Sequence, residues 1–77
     1  MSDLYRVQKI LRDVFDDPTL SVTPALSMKT HPAWDSVATV HIVLATEEEF
    51  GIRFTTDEVA GVKSVADLLA VVEARRS

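Results

Sequence analysis

Leu4, Val7, Ile10, Leu11, Val14 and Phe15 return every three or four residues, the spacing of one face of a helix. Asp3 stands where this helix needs an N-cap. Asp16-Asp17-Pro18 stops the run, because proline disfavours helical geometry in the residue before it. A second run extends from about Ser36 to Phe50, with Gly51 as its natural C-terminal cap. After a short extended link at Arg53-Phe54, Thr55-Thr56-Asp57-Glu58 has the form of a capping box, Thr55 at the N-cap and Glu58 three residues on. It opens a short helix through Val59 and Ala60 that Gly61 closes. Ser64-Val65-Ala66-Asp67 repeats the signature, with Asp in place of Glu, and opens a last helix through Leu68, Leu69, Val71 and Val72. No period-two alternation is long enough to require a strand. The pattern predicts an all-α fold, a small four-helix bundle with a short third helix and a long first loop, in a single domain spanning residues 1–77.

The first loop takes roughly 17 residues, where helix–helix links usually take about 2–8. Thr23-Pro24 reads as a cap and first-turn proline over Ala25, Leu26, Ser27 and Met28. Leu20, Val22, Leu26 and Met28 are apolar enough to tie the loop to the core, and His31-Pro32 ends it.

The second helix carries apolar residues on two sides. At about 100° per residue, Thr39, Ile42, Val43, Thr46 and Phe50 share one strip, and Val37, Val40 and Leu44 lie roughly opposite. A bundle of this size buries one of them. The first strip contains the bulky Ile42 and Phe50 and lies away from Glu47 and Glu48, so it is assigned to the core. The second, bordered by His41 and Glu48 with Glu47 projecting into it, is left as an exposed apolar strip with an acidic margin, the composition of a docking surface. The pattern alone also permits the reverse assignment.

Composition narrows the function classes. With 47% apolar and 26% charged residues the chain has the composition of a folding domain, not of a disordered one. At 77 residues it has little room for a deep active site. No cysteine is present, so disulfides and thiolate chemistry are excluded. No leader-like segment or membrane-length apolar run is found, which makes a cytoplasmic location the default. The net charge of −4 is unevenly spread: residues 35–67 hold seven acids against Arg53 and Lys63. That acidic middle argues against nucleic acid and for basic protein partners. No paired carboxylates, metal-ligand cluster or glycine-rich phosphate loop points to an enzyme.

Asp35-Ser36 is the remaining candidate chemistry. Either residue makes a good N-cap. If Asp35 takes that role, Ser36 sits in the first turn with its hydroxyl available, beside unpaired N–H groups and the positive end of the helix dipole, where an attached phosphodiester is favoured. His41 and His31 are badly placed to activate it, so the serine is a better acceptor than catalyst.

The block Asp35-Ser36-Val37-x-x-Val40-x-x-Val43-Leu44-Ala45-x-Glu47-Glu48-Glu49-Phe50-Gly51-Ile52 resembles the Asp-Ser-Leu block and acidic recognition helix of the acyl carrier protein family. The likeness extends over the first helix and the Thr-Thr-Asp-Glu to Val-Ala-Asp-Leu-Leu tail, and is loose only in the loop at 17–33. The resemblance implies a four-helix bundle without activity of its own. It implies 4'-phosphopantetheine attached covalently to Ser36 by a partner transferase, with Asp35 helping to position that chemistry and its metal ion. The terminal thiol of the group then carries acyl groups as thioesters. Val37, Val40, Leu44, Glu47 and Glu48 are expected to face partner enzymes, those that load and process the carried group.

Departures from the family pattern point to a specialised member. Ala33-Trp34 precedes Asp-Ser where glycine is usual, and packing over the start of the second helix is favoured for Trp34 over flanking the cofactor arm. Ala38 and His41 replace acids, and Thr46 replaces a leucine at the centre of the core strip, where its hydroxyl can bond the carbonyl four residues earlier. A polar group there argues against a roomy pocket for long fatty chains. The leading expectation is a freestanding, monomeric acyl or aminoacyl carrier for a dedicated biosynthetic pathway. The alternative is a helical interaction module of the same fold that takes no cofactor.

Overall fold

Four helices follow one another in the predicted order, α1 (Asp3–Val14), α2 (Ser36–Phe50), α3 (Thr56–Gly61) and α4 (Val65–Arg76), in a computed structural model that describes residues 2–76. Among the described residues there is no strand, only an isolated antiparallel bridge between Ser27 and Ser64. No helix of the described residues is long and apolar enough to cross a membrane.

The helix ends differ from expectation at three points. Ser2, not Asp3, caps α1: its hydroxyl accepts the Tyr5 N–H at 3.2 Å. Asp3 is the first helical residue, where its charge meets the positive end of the dipole. At the other end the helix is finished before Pro18 acts. Phe15 is the C-cap and Asp16 takes a left-handed φ of 52°. The Asp16 N–H then reaches the Asp13 carbonyl at 3.3 Å and the Asp17 N–H the Arg12 carbonyl at 2.9 Å, the paired bonds of a Schellman motif. Aspartate is among the few side chains that tolerate this backbone. Gly61 is the last residue of α3, not its cap; extended Val62 ends the helix. The left-handed glycine is Gly51 (φ 65°), which ends α2 as expected.

The faces of α2 fall as assigned. Thr39, Ile42, Val43 and Thr46 are buried, while Val37, Val40 and Leu44 are 66%, 47% and 56% exposed. The Thr46 hydroxyl donates to the Ile42 carbonyl at 2.7 Å, which satisfies a polar atom in a fully buried site. Against this face pack Val7, Ile10 and Leu11 of α1 and Val65 and Leu68 of α4, with Val22, Trp34 and Val62 from the connections. Each large apolar side chain fully buried in this way contributes about 1.5–3 kcal/mol. At the far end of α2, Arg6 lies 4.3 Å over the Phe50 ring and its Nε donates to Glu49 Oε2 at 2.8 Å, which ties α1 to α2 across a half-exposed surface.

The long loop is held by its backbone. Met28 N–H donates to the Lys63 carbonyl at 3.0 Å, Val65 N–H to Leu26 at 2.9 Å and Ala66 N–H to Pro24 at 3.1 Å. Arg12 Nε donates to the Leu20 carbonyl and the Val22 N–H to Gln8 Oε1, which fixes the loop's first half to α1. These bonds deliver residue 34 to the start of α2.

Candidate functional site

Asp35 has extended backbone geometry, and its Oδ1 accepts the Ala38 N–H at 2.8 Å. It is therefore the N-cap, and Ser36 is the first residue of α2, exposed. Two candidate caps stood side by side in the sequence, and the structure gives the role to the first. Behind them Trp34 is 2% exposed, and its indole N–H donates to Thr39 Oγ1 at 2.9 Å. The Thr39 hydroxyl donates in turn to the Asp35 carbonyl at 3.0 Å. Trp34 therefore packs, as favoured from the sequence. It also lies tilted against Phe15, whose ring stacks on His31 at 4.3 Å.

Ser36 opens onto a groove of about 240 Å³ between α2, α3 and the first loop, walled by Met28, Thr39, Val40, Val59, Ala60, Val62 and Lys63. From the same end of α2, Val37, Val40 and Leu44 run as an exposed apolar strip toward Glu47 and Glu48. The two acids differ. Glu48 is exposed. Glu47 is half-buried, and its Oε2 accepts the Phe54 N–H at 2.7 Å. The left-handed turn at Gly51 folds residues 52–54 back along the last turn of α2, and this brings an unpaired N–H to the carboxylate. Glu47 thus braces the α2–α3 connection as well as bordering the strip. His41 is exposed on the helix, as expected.

No group of histidine, cysteine, aspartate or glutamate side chains among the described residues could hold a metal ion.

An acyl carrier protein from Acidothermus cellulolyticus is 39% identical over 59 residues, which cover 77% of this chain and 70% of that one. The chain belongs to the acyl carrier protein family. Acyl carrier protein 3 from Ralstonia nicotianae is 31% identical over 71 residues, 92% of this chain and 82% of the relative. The solution structure of a holo acyl carrier protein from Geobacter metallireducens superposes with a TM-score of 0.84 at 32% identity, covering 99% of this chain and 91% of the other. No protein-family model matches the chain. As an acyl carrier protein fold, the four helices place Asp35-Ser36 at the head of α2 and the three glutamates at its foot.

Sequence reasoning brought together Asp35, Ser36 and the strip, because all lie on one helix. It missed the Trp34–Thr39–Asp35 chain of hydrogen bonds, although Trp34 and Thr39 are only five residues apart. A buried tryptophan needs a partner for its N–H, and the hydroxyl one turn into the helix was the available signal. The groove walls at Met28, Val59 and Lys63 had no local signal, since they depend on how the first loop and α3 dock.

Proposed function

We propose that residues 1–77 form one carrier domain that bears 4'-phosphopantetheine on Ser36 and presents acyl or aminoacyl groups to the enzymes of a dedicated pathway. The observation that carries this reading is the division of labour at the head of α2: Asp35 caps, and Ser36 stands exposed in the first turn. Residues present there suit the group. The α2 N-terminus favours the negative charge of a phosphodiester on Ser36, and the chain, with no cysteine, has no thiol of its own. When bound, the group supplies the thiol on which carried groups are held as thioesters. The holo state of the Geobacter metallireducens relative supports the same reading.

In this reading the chemistry belongs to partners, a phosphopantetheinyl transferase and the enzymes that load and process the carried group. Asp35 keeps a carboxylate at the modification site and helps position the transferase's metal ion. Val37, Val40 and Leu44 supply the apolar contact, with Glu47 and Glu48 as the acidic margin. Trp34 before Asp-Ser, His41 on the docking helix and the buried Thr46 support a specialised pathway over general fatty acid synthesis.

Intact-protein mass spectrometry after incubation with coenzyme A, magnesium and a broad-specificity transferase tests the attachment. One phosphopantetheine adduct is expected, located at Ser36, and none on Ser36→Ala. An unmodified wild-type protein would leave only the docking-module reading, and an adduct at another serine would overturn Ser36 as the attachment site.

A further inference from the structure

We infer that Trp34 and Thr39 are positioning residues for the modification of Ser36, an inference that rests on Ser36 being the attachment site. Asp35, its immediate neighbour, is held at three points. Its Oδ1 accepts the Ala38 N–H at 2.8 Å. Its carbonyl accepts the Thr39 N–H at 3.0 Å and the Thr39 hydroxyl at 3.0 Å. The hydroxyl is itself fixed by the buried Trp34 indole N–H at 2.9 Å. Trp34 is anchored in turn: its own backbone N–H donates to the His31 carbonyl at 3.0 Å, and its ring lies against Phe15 of the α1 C-terminus. A continuous set of contacts therefore runs from α1 through the loop to the peptide that precedes Ser36. With Thr39 6% and Trp34 2% exposed, the indole N–H and the hydroxyl are shielded from water, so neither bond is readily replaced by solvent.

The reaction makes this rigidity matter. Ser36 Oγ attacks the β-phosphorus of coenzyme A; an O–P bond forms, the bond to adenosine 3',5'-bisphosphate breaks, and the hydroxyl proton passes to the transferase. Such a displacement needs the attacking oxygen in line with the leaving group, and small misplacements cost rate steeply. The brace is buried, whereas the strip of Val37, Val40 and Leu44 is exposed and left for docking. Its loss should therefore lower kcat for modification and leave KM nearly unchanged.

The test measures modification of wild type, Thr39→Val, Thr39→Ser and Trp34→Phe by the same transferase, at a temperature where circular dichroism shows each variant folded. Val72→Ala serves as control, since it removes volume from a fully buried site in α4 away from the brace. Thr39→Val and Trp34→Phe should each lower kcat about tenfold, in the range expected for a misplaced reacting group. The double variant should be no slower than the worse single one, because both break one chain of contacts. Thr39→Ser should restore most of the rate. If folded Thr39→Val is modified at the wild-type kcat, or if Val72→Ala is slowed equally, the inference is overturned while the attachment at Ser36 stands. An unmodified wild type removes both.

Discussion

Replacing Asp35 with asparagine and with alanine separates two roles of one carboxylate. The cap to Ala38 N–H needs an oxygen acceptor, not a charge. Asp35→Asn should therefore melt within a few degrees of wild type. Asp35→Ala should lose about 1 kcal/mol, the usual value of an N-cap, or about 4–8 °C in a domain of this size. On the proposed function both should be modified much more slowly than wild type, because neither keeps the charge. Thermal unfolding and the mass-spectrometric rate, read on the same samples, check this; Asp35→Asn modified at full rate would limit Asp35 to capping. Caps of this kind were legible from sequence because donor and acceptor lie three residues apart, as at Asp35 and at Thr55 with Glu58. Asp3 was misjudged because its neighbour Ser2 is an equally good cap.

Among the elements, α2 presents the clearest contrast. Its buried and exposed strips followed from helical periodicity, since Ile42 and Phe50 needed cover more than Val37 and Val40 did. The direction of the Glu47 carboxylate did not follow, because it depends on where the chain goes after Gly51. That difference changes how the acidic margin should be tested. Charge reversal at both glutamates would break the bond to Phe54 N–H along with any docking contact. Glu48→Lys alone should keep the melting temperature and slow association with the partner, more at low salt than at high. Glu47→Ala should cost stability by about 1.5–3 kcal/mol, the range for a hydrogen bond to a charged group. Surface plasmon resonance at two salt concentrations and denaturant unfolding distinguish them. An unchanged on-rate for Glu48→Lys at low salt would remove that residue from the docking face.

At the scale of the molecule, acid should weaken the support that Glu58 gives to α3 and its tie to α4. Glu58 Oε1 accepts the Thr55 N–H at 2.9 Å and also pairs with Arg75 of α4. The Thr55 N–H, opposed by partial desolvation and aided by Arg75, holds its carboxyl below the usual value of 4.5. A carboxyl whose folded pKa is depressed contributes stability above the unfolded value and loses it as pH falls through the folded one. The difference in melting temperature between wild type and Glu58→Gln should thus be constant near neutral pH and shrink as pH drops below 4.5. A difference that stays level through that range would show that Glu58 gives no pH-dependent support. The same region holds a consequence for the groove beside Ser36. Its walls at Met28 and Lys63 are joined by a backbone hydrogen bond, and the Ser27–Ser64 bridge lies next to it. The opposite jamb, Val59 and Ala60, belongs to a helix with no buried residue. The groove is thus a door with one post set in the frame by main-chain bonds and the other standing on α3, which side chains hold in place, Glu58 to Arg75 of α4 and Val59 against the core.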